Sequence, residues 1–87
     1  MAGRAEVEGA LYGVLAESRG SRPAAVREEA GADGTIDSLE GVELVAAAEE
    51  RFGVEIADDE LTPDTCRSVV ALADLVLAKL GAVGAGR

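Results

Sequence analysis

Two side chains stand out for chemistry, the hydroxyl of Ser38 and the thiol of Cys66, in a chain with 17 acidic residues and no histidine. A serine directly after Asp37 at the start of a helix is, in an ordinary protein, far more often part of a cap than a modification site. Cys66 needs a neighbouring base to become a thiolate nucleophile, and without histidine the favoured reading is a small packed residue. Histidine is also the commonest general acid or base near neutral pH, so most catalytic triads are excluded. Carboxylate pairs of the glycosidase kind need a substrate cleft between them, which a core this small hardly encloses. One cysteine and no histidine leave little for a metal site. The residues therefore predict a protein that is not an enzyme and holds no metal.

Helices must position these groups. Over residues 4–19, Val7, Leu11, Val14 and Leu15 recur on one side of a helix. Gly9 and Gly13 weaken it by about 1 kcal/mol each relative to Ala, so it depends on tertiary packing, and Gly20 marks its end. Residues 20–37 hold Pro23 and several Gly and Ala residues but few large apolar ones. This predicts a long loop with one helical turn over residues 23–30, anchored by Val26. Loops of that length are uncommon in compact domains, and many are functional.

The strongest local signal follows. Asp37 as cap and Glu40 three residues on form a capping box for a helix from Ser38 to about Phe52, stopped by Gly53. Leu44, Ala48 and Phe52, with Val45 beside them, make its core stripe. Leu39, Val42 and Ala46 make a second stripe, flanked by Glu40, Glu43, Glu49 and Glu50. Such a helix is either buried on two sides or keeps one side for a visitor. Asp58, Asp59, Glu60 and Leu61 predict a short third helix, with the acids near its positive end. Thr62-Pro63-Asp64 breaks or restarts the chain, and Ser68 caps a last helix through about Leu80, built on Val69, Leu72, Leu75, Val76 and Leu80.

The expected fold is all-α, a small bundle of three principal helices plus one short helix, with the long loop between the first two principal helices. Residues 1–87 are expected to form one domain, with a core from about 4 to 80 and a flexible tail over 81–87. A net charge of −9 disfavours nucleic acid, whose binding needs Lys and Arg to neutralise phosphates, and favours basic protein surfaces. No apolar run approaches the roughly 20 residues that cross a bilayer, so no membrane partner is expected. Arg4, Glu6 and Glu8 interrupt any signal-peptide core, and a single cysteine suits a reducing compartment. The expectation is a cytoplasmic monomer.

The stretch over residues 34–56, GTIDSLEGVELVAAAEERFGVEI, closely resembles the acyl carrier protein family. The family's attachment serine sits in an Asp-Ser-Leu motif at a helix start, matched here by Asp37, Ser38 and Leu39. The resemblance runs on without a gap through Val42, Glu43, Leu44, Glu49, Glu50, Phe52 and Ile56, and more weakly through Ser68-Val69 and residues 72–76. It implies that Ser38 carries 4'-phosphopantetheine, delivered from coenzyme A by a phosphopantetheinyl transferase, and that the arm's thiol holds an acyl or aminoacyl thioester. It further implies that Leu39, Val42, Glu40, Glu43, Glu49 and Glu50 meet partner enzymes: a loading enzyme, then a downstream acyltransferase, synthase or modifying enzyme. The plainer reading of the glutamates is a solvated helix face.

The chain departs from many fatty-acid carriers, which place Gly where Thr35 stands and a large aliphatic at Ala48. Gly34-Thr35-Ile36-Asp37 is more like the discrete aminoacyl and D-alanyl carriers, and the Ala-, Gly- and Arg-rich usage resembles that of high-GC bacteria. The resemblance therefore points to a discrete carrier in polyketide or nonribosomal peptide biosynthesis. The competing reading is an unmodified carrier-like module that binds or regulates an enzyme through its acidic helix face.

Overall fold

Four helices carry the chain in the computed structural model, which describes residues 3–85: α1 (Arg4–Arg19), α2 (Pro23–Ala30), α3 (Ser38–Phe52) and α4 (Val69–Ala85). Val7, Leu11 and Leu15 fall one turn apart on α1 and are buried, joined by Tyr12 and Ala16, while Val14 is half-buried at the rim. Gly20 takes φ 65° and ends α1, letting Ser21 N–H reach Ala16 O at 2.8 Å. On α3 the buried side is Gly41, Leu44, Val45 and Ala48, with Phe52 half-buried. Val69, Leu72, Ala73 and Val76 of α4 complete the core. Helix α1 packs against all three other helices, and α4 also touches α3. The all-α bundle expected from the periodicities is the observed one.

The segment between α1 and α3 is more ordered than its composition predicts. In place of one turn in a loop there is the eight-residue helix α2, with Pro23 in its first turn and Val26 fully buried. A single apolar residue suffices because tertiary contacts support it. The Arg27 guanidinium lies 4.3 Å from the Tyr12 ring centroid, an attraction between cation and aromatic face that ties α2 to α1.

Two further expectations are corrected. The acidic run forms only a 3-10 turn, Asp58–Glu60, where Glu60 Oε1 accepts Ala57 N–H at 3.0 Å. Another such turn, Thr65–Arg67, follows, with Thr62 Oγ1 accepting Thr65 N–H at 3.2 Å. Helix α4 runs to Ala85 rather than stopping near Leu80, passing through Gly81. Glycine weakens a helix interior but ends a helix only when it adopts the left-handed conformation, and Gly81 does not. Residues 81–85 of the expected tail are thus helical, and residues 86–87 lie outside the described residues.

Candidate functional site at the start of α3

Ser38 is the first residue of α3, and its position is set from both directions along the chain. Asp37 Oδ1 accepts Glu40 N–H at 2.8 Å and Glu40 Oε1 accepts Asp37 N–H at 3.2 Å, so the expected capping box is complete. Upstream, the chain is pinned to the segment entering α4. Val69 N–H donates to Gly34 O at 2.8 Å, Ile36 N–H donates to Arg67 O at 2.9 Å, and Ser68 Oγ donates to Asp33 O at 2.6 Å. Thr35 and Ser68 thereby form an antiparallel bridge, and Ile36 is buried.

Two glycines permit this approach. Gly34 has φ 64°, and a Cβ there would sit 2.7 Å from the Tyr12 hydroxyl and 2.9 Å from Val69 Cβ. Gly41, one turn into α3, faces the Thr65–Arg67 turn so closely that a Cβ would overlap the Cys66 carbonyl oxygen. Cys66 is itself buried, as a packed thiol. An isolated glycine inside an otherwise strong helix pattern is the sequence signal that could have flagged Gly41.

Ser38, Asp37, Leu39, Val42, Glu43 and Glu50 are all exposed. Leu39 and Val42, at 74% and 57% exposure, are the large hydrophobics left uncovered among the described residues. Ala46, the third member of the expected second stripe, is exposed as well. The structure thus brings that stripe together on one outward side.

Two of the glutamates expected on this side are engaged within the protein. Glu40 is gripped by Arg19, with Nε donating to Oε2 at 2.7 Å and Nη2 donating to Oε1 at 2.9 Å. This hydrogen bond holds the Glu40 carboxyl below the usual glutamate range, helped by Asp37 N–H and opposed by partial burial. It also raises Arg19 above its ordinary value. Glu49 Oε2 accepts Ile56 N–H at 3.0 Å, fastening the chain beyond α3 back onto it. Neither link was legible from spacing, since Arg19 and Glu40 lie 21 residues apart.

No group of His, Cys, Asp and Glu among the described residues is arranged to hold a metal ion. Asp37 Oδ1 is engaged in the helix cap. What the site offers is an exposed hydroxyl at the positive end of a helix, a location that suits an attached phosphate.

Residues 34–76 match the family described as the phosphopantetheine attachment site, whose domains carry 4'-phosphopantetheine covalently on a serine. No solved structure matches the chain. The match and the all-α fold together support a phosphopantetheine-bearing carrier protein, consistent with the acyl carrier protein family. The matched segment contains two serines, Ser38 and Ser68. The Ser68 hydroxyl is half-buried, donating to Asp33 O and accepting Ala71 N–H at 3.1 Å, whereas Ser38 is exposed.

Proposed function

We propose that Ser38 is the attachment serine and that the protein is a non-catalytic carrier of acyl or aminoacyl groups. The observation that carries this reading is the exposure of Ser38 at a capped helix start inside the matched segment, set against the engaged hydroxyl of Ser68. The residues fit the group. Ser38 supplies the oxygen of the phosphodiester, the peptide N–H groups at the start of α3 favour its negative charge, and Asp37 and Glu40 hold that turn in place. When attached, the arm supplies a terminal thiol on which the cargo rides as a thioester. No side chain of the protein takes part in the acyl chemistry, which belongs to the enzymes it visits.

Leu39 and Val42, flanked by Glu43 and Glu50, form the face offered to those enzymes: a phosphopantetheinyl transferase, a loading enzyme, and a downstream acyltransferase, synthase or modifying enzyme. Glu40 and Glu49, expected in the same contact set, each also make internal bonds. Exposed ion pairs are each worth only about 0–1 kcal/mol and are screened by salt, which suits contacts that must be released. Thr35 and the small, buried Ala48 support placing the carrier in polyketide or nonribosomal peptide assembly.

Intact-protein mass spectrometry before and after incubation with coenzyme A and a broad-specificity transferase tests the reading. One added phosphopantetheine, absent in Ser38→Ala, is the expected result. No gain in folded, initially unmodified protein would instead favour an interaction module that works without modification.

A further inference from the structure

The last residue of α1 reaches across to the first turn of α3. Glu40 Oε1 accepts from both Arg19 Nη2, at 2.9 Å, and Asp37 N–H, at 3.2 Å, while Arg19 Nε holds the other oxygen at 2.7 Å. One carboxylate therefore joins a guanidinium on another helix to the residue directly before Ser38. The side chains of Arg19 and Glu40 are 30% and 14% exposed, so this fork is partly shielded from water and more constraining than an ordinary surface pair. Each charge also lies at the favourable helix end, Arg19 in the last turn of α1 and Glu40 in the first turn of α3.

We propose that Arg19 is a positioning residue for the modification of Ser38: by holding Glu40 it fixes the first turn of α3 and the direction in which the Ser38 hydroxyl is offered to the transferase. The proposal rests on Ser38 being the attachment serine. In the transfer, Ser38 Oγ forms a bond to the phosphorus of coenzyme A that bears the pantetheine arm. The bond from that phosphorus to the adenosine-side phosphate breaks, 3',5'-ADP departs, and the hydroxyl proton passes to a base of the transferase. Arg19 acts on this step through Glu40 and the turn, not on the reacting atoms.

The test is the steady-state rate of loading from coenzyme A by a broad-specificity transferase, read by intact mass, for the unsubstituted chain, Ser38→Ala, Arg19→Ala, Arg19→Lys, Glu40→Gln and the double variant Arg19→Ala with Glu40→Gln. Circular dichroism on each sample establishes that it is folded. Arg19→Ala is expected to lower kcat about three- to tenfold with KM changed less than about twofold. Glu40→Gln, which keeps a capping side chain but loses the charge, should do the same, and the double variant should be no worse than the poorer single one because the pair acts as a unit. Arg19→Lys should recover part of the rate, and amide exchange at Asp37 and Glu40 should quicken in Arg19→Ala.

Unchanged kcat and KM in folded Arg19→Ala overturns the proposal. So does a rise in KM alone that Glu40→Gln fails to reproduce, since Arg19 would then contact the transferase directly. No loading of the unsubstituted chain overturns the Ser38 reading and this proposal with it, whereas loading that needs Ser38 but ignores Arg19 overturns the positioning role alone. If Arg19→Ala does not fold, the same comparison between Arg19→Lys and Glu40→Gln decides the matter.

Discussion

Helix α3 has two sides that obey opposite rules. On one, Gly41, Leu44, Val45 and Ala48 are buried, and at Gly41 the backbone comes so close to the Cys66 carbonyl that no side chain fits. On the other, Leu39, Val42, Glu43 and Ala46 meet solvent although three of the four are apolar. Hydrophobicity alone does not separate the two sides. Neighbouring elements do: the Thr65–Arg67 turn, α1 and α4 lie against the first and leave the second open. The buried side is held by packing, and the open side is the face proposed to meet partner enzymes.

The comparison is most severely tested by placing a side chain where there is no room. Gly41→Val should destabilise the fold by at least about 4 kcal/mol, and in a domain this small that leaves much of the population unfolded in a denaturant titration. Next comes a matched pair on the same helix. Leu44→Ala should cost about 2–5 kcal/mol, because it empties a buried site, while Leu39→Ala should stay within about 0.5 kcal/mol. Equal losses at the two positions would show that the open side is covered in solution.

A smaller effect comes from Glu40. Its folded-state pKa lies below that of the unfolded chain, so its contribution is present above the ordinary glutamate value and is lost as pH falls through the lowered folded value. The stability difference between the unsubstituted chain and Glu40→Gln should therefore shrink in that acidic window and be flat above it, as read by thermal melts at several pH values. Smallest of all is Gly9→Ala on the outer side of α1, where nothing lies near an added Cβ. It should stabilise by about 0.5–1 kcal/mol, the reverse of the result at Gly41.

Much of the fold was legible because its signals are local. The burial of Val7, Leu11 and Leu15 follows from their spacing, and the box between Asp37 and Glu40 needs only the geometry of one turn. The expectation of an attachment site at Ser38 came instead from the resemblance of residues 34–56 to a known family, since a serine after Asp37 at a helix start reads locally as part of a cap. Helix α2 was underestimated because its stability comes from Val26 and from Arg27 over Tyr12, contacts that a sparse apolar pattern does not display. The extension of α4 to Ala85 was missed because Gly81 reads as a stop in sequence and is merely a weak helical residue in the structure.

The division between the two sources of information follows the distance over which each interaction acts. By itself the sequence determined the helical periods, the caps at Asp37 and Ser68, and the placing of a serine hydroxyl at a helix start, since these rest on residues three or four apart. Only the tertiary structure decided that Glu40 belongs to Arg19, that Glu49 holds Ile56, that Gly34 and Gly41 make room for the approach to α4, and that Leu39 and Val42 are left uncovered. Each of those outcomes depends on which elements come to lie side by side, and packing sets that rather than spacing along the chain.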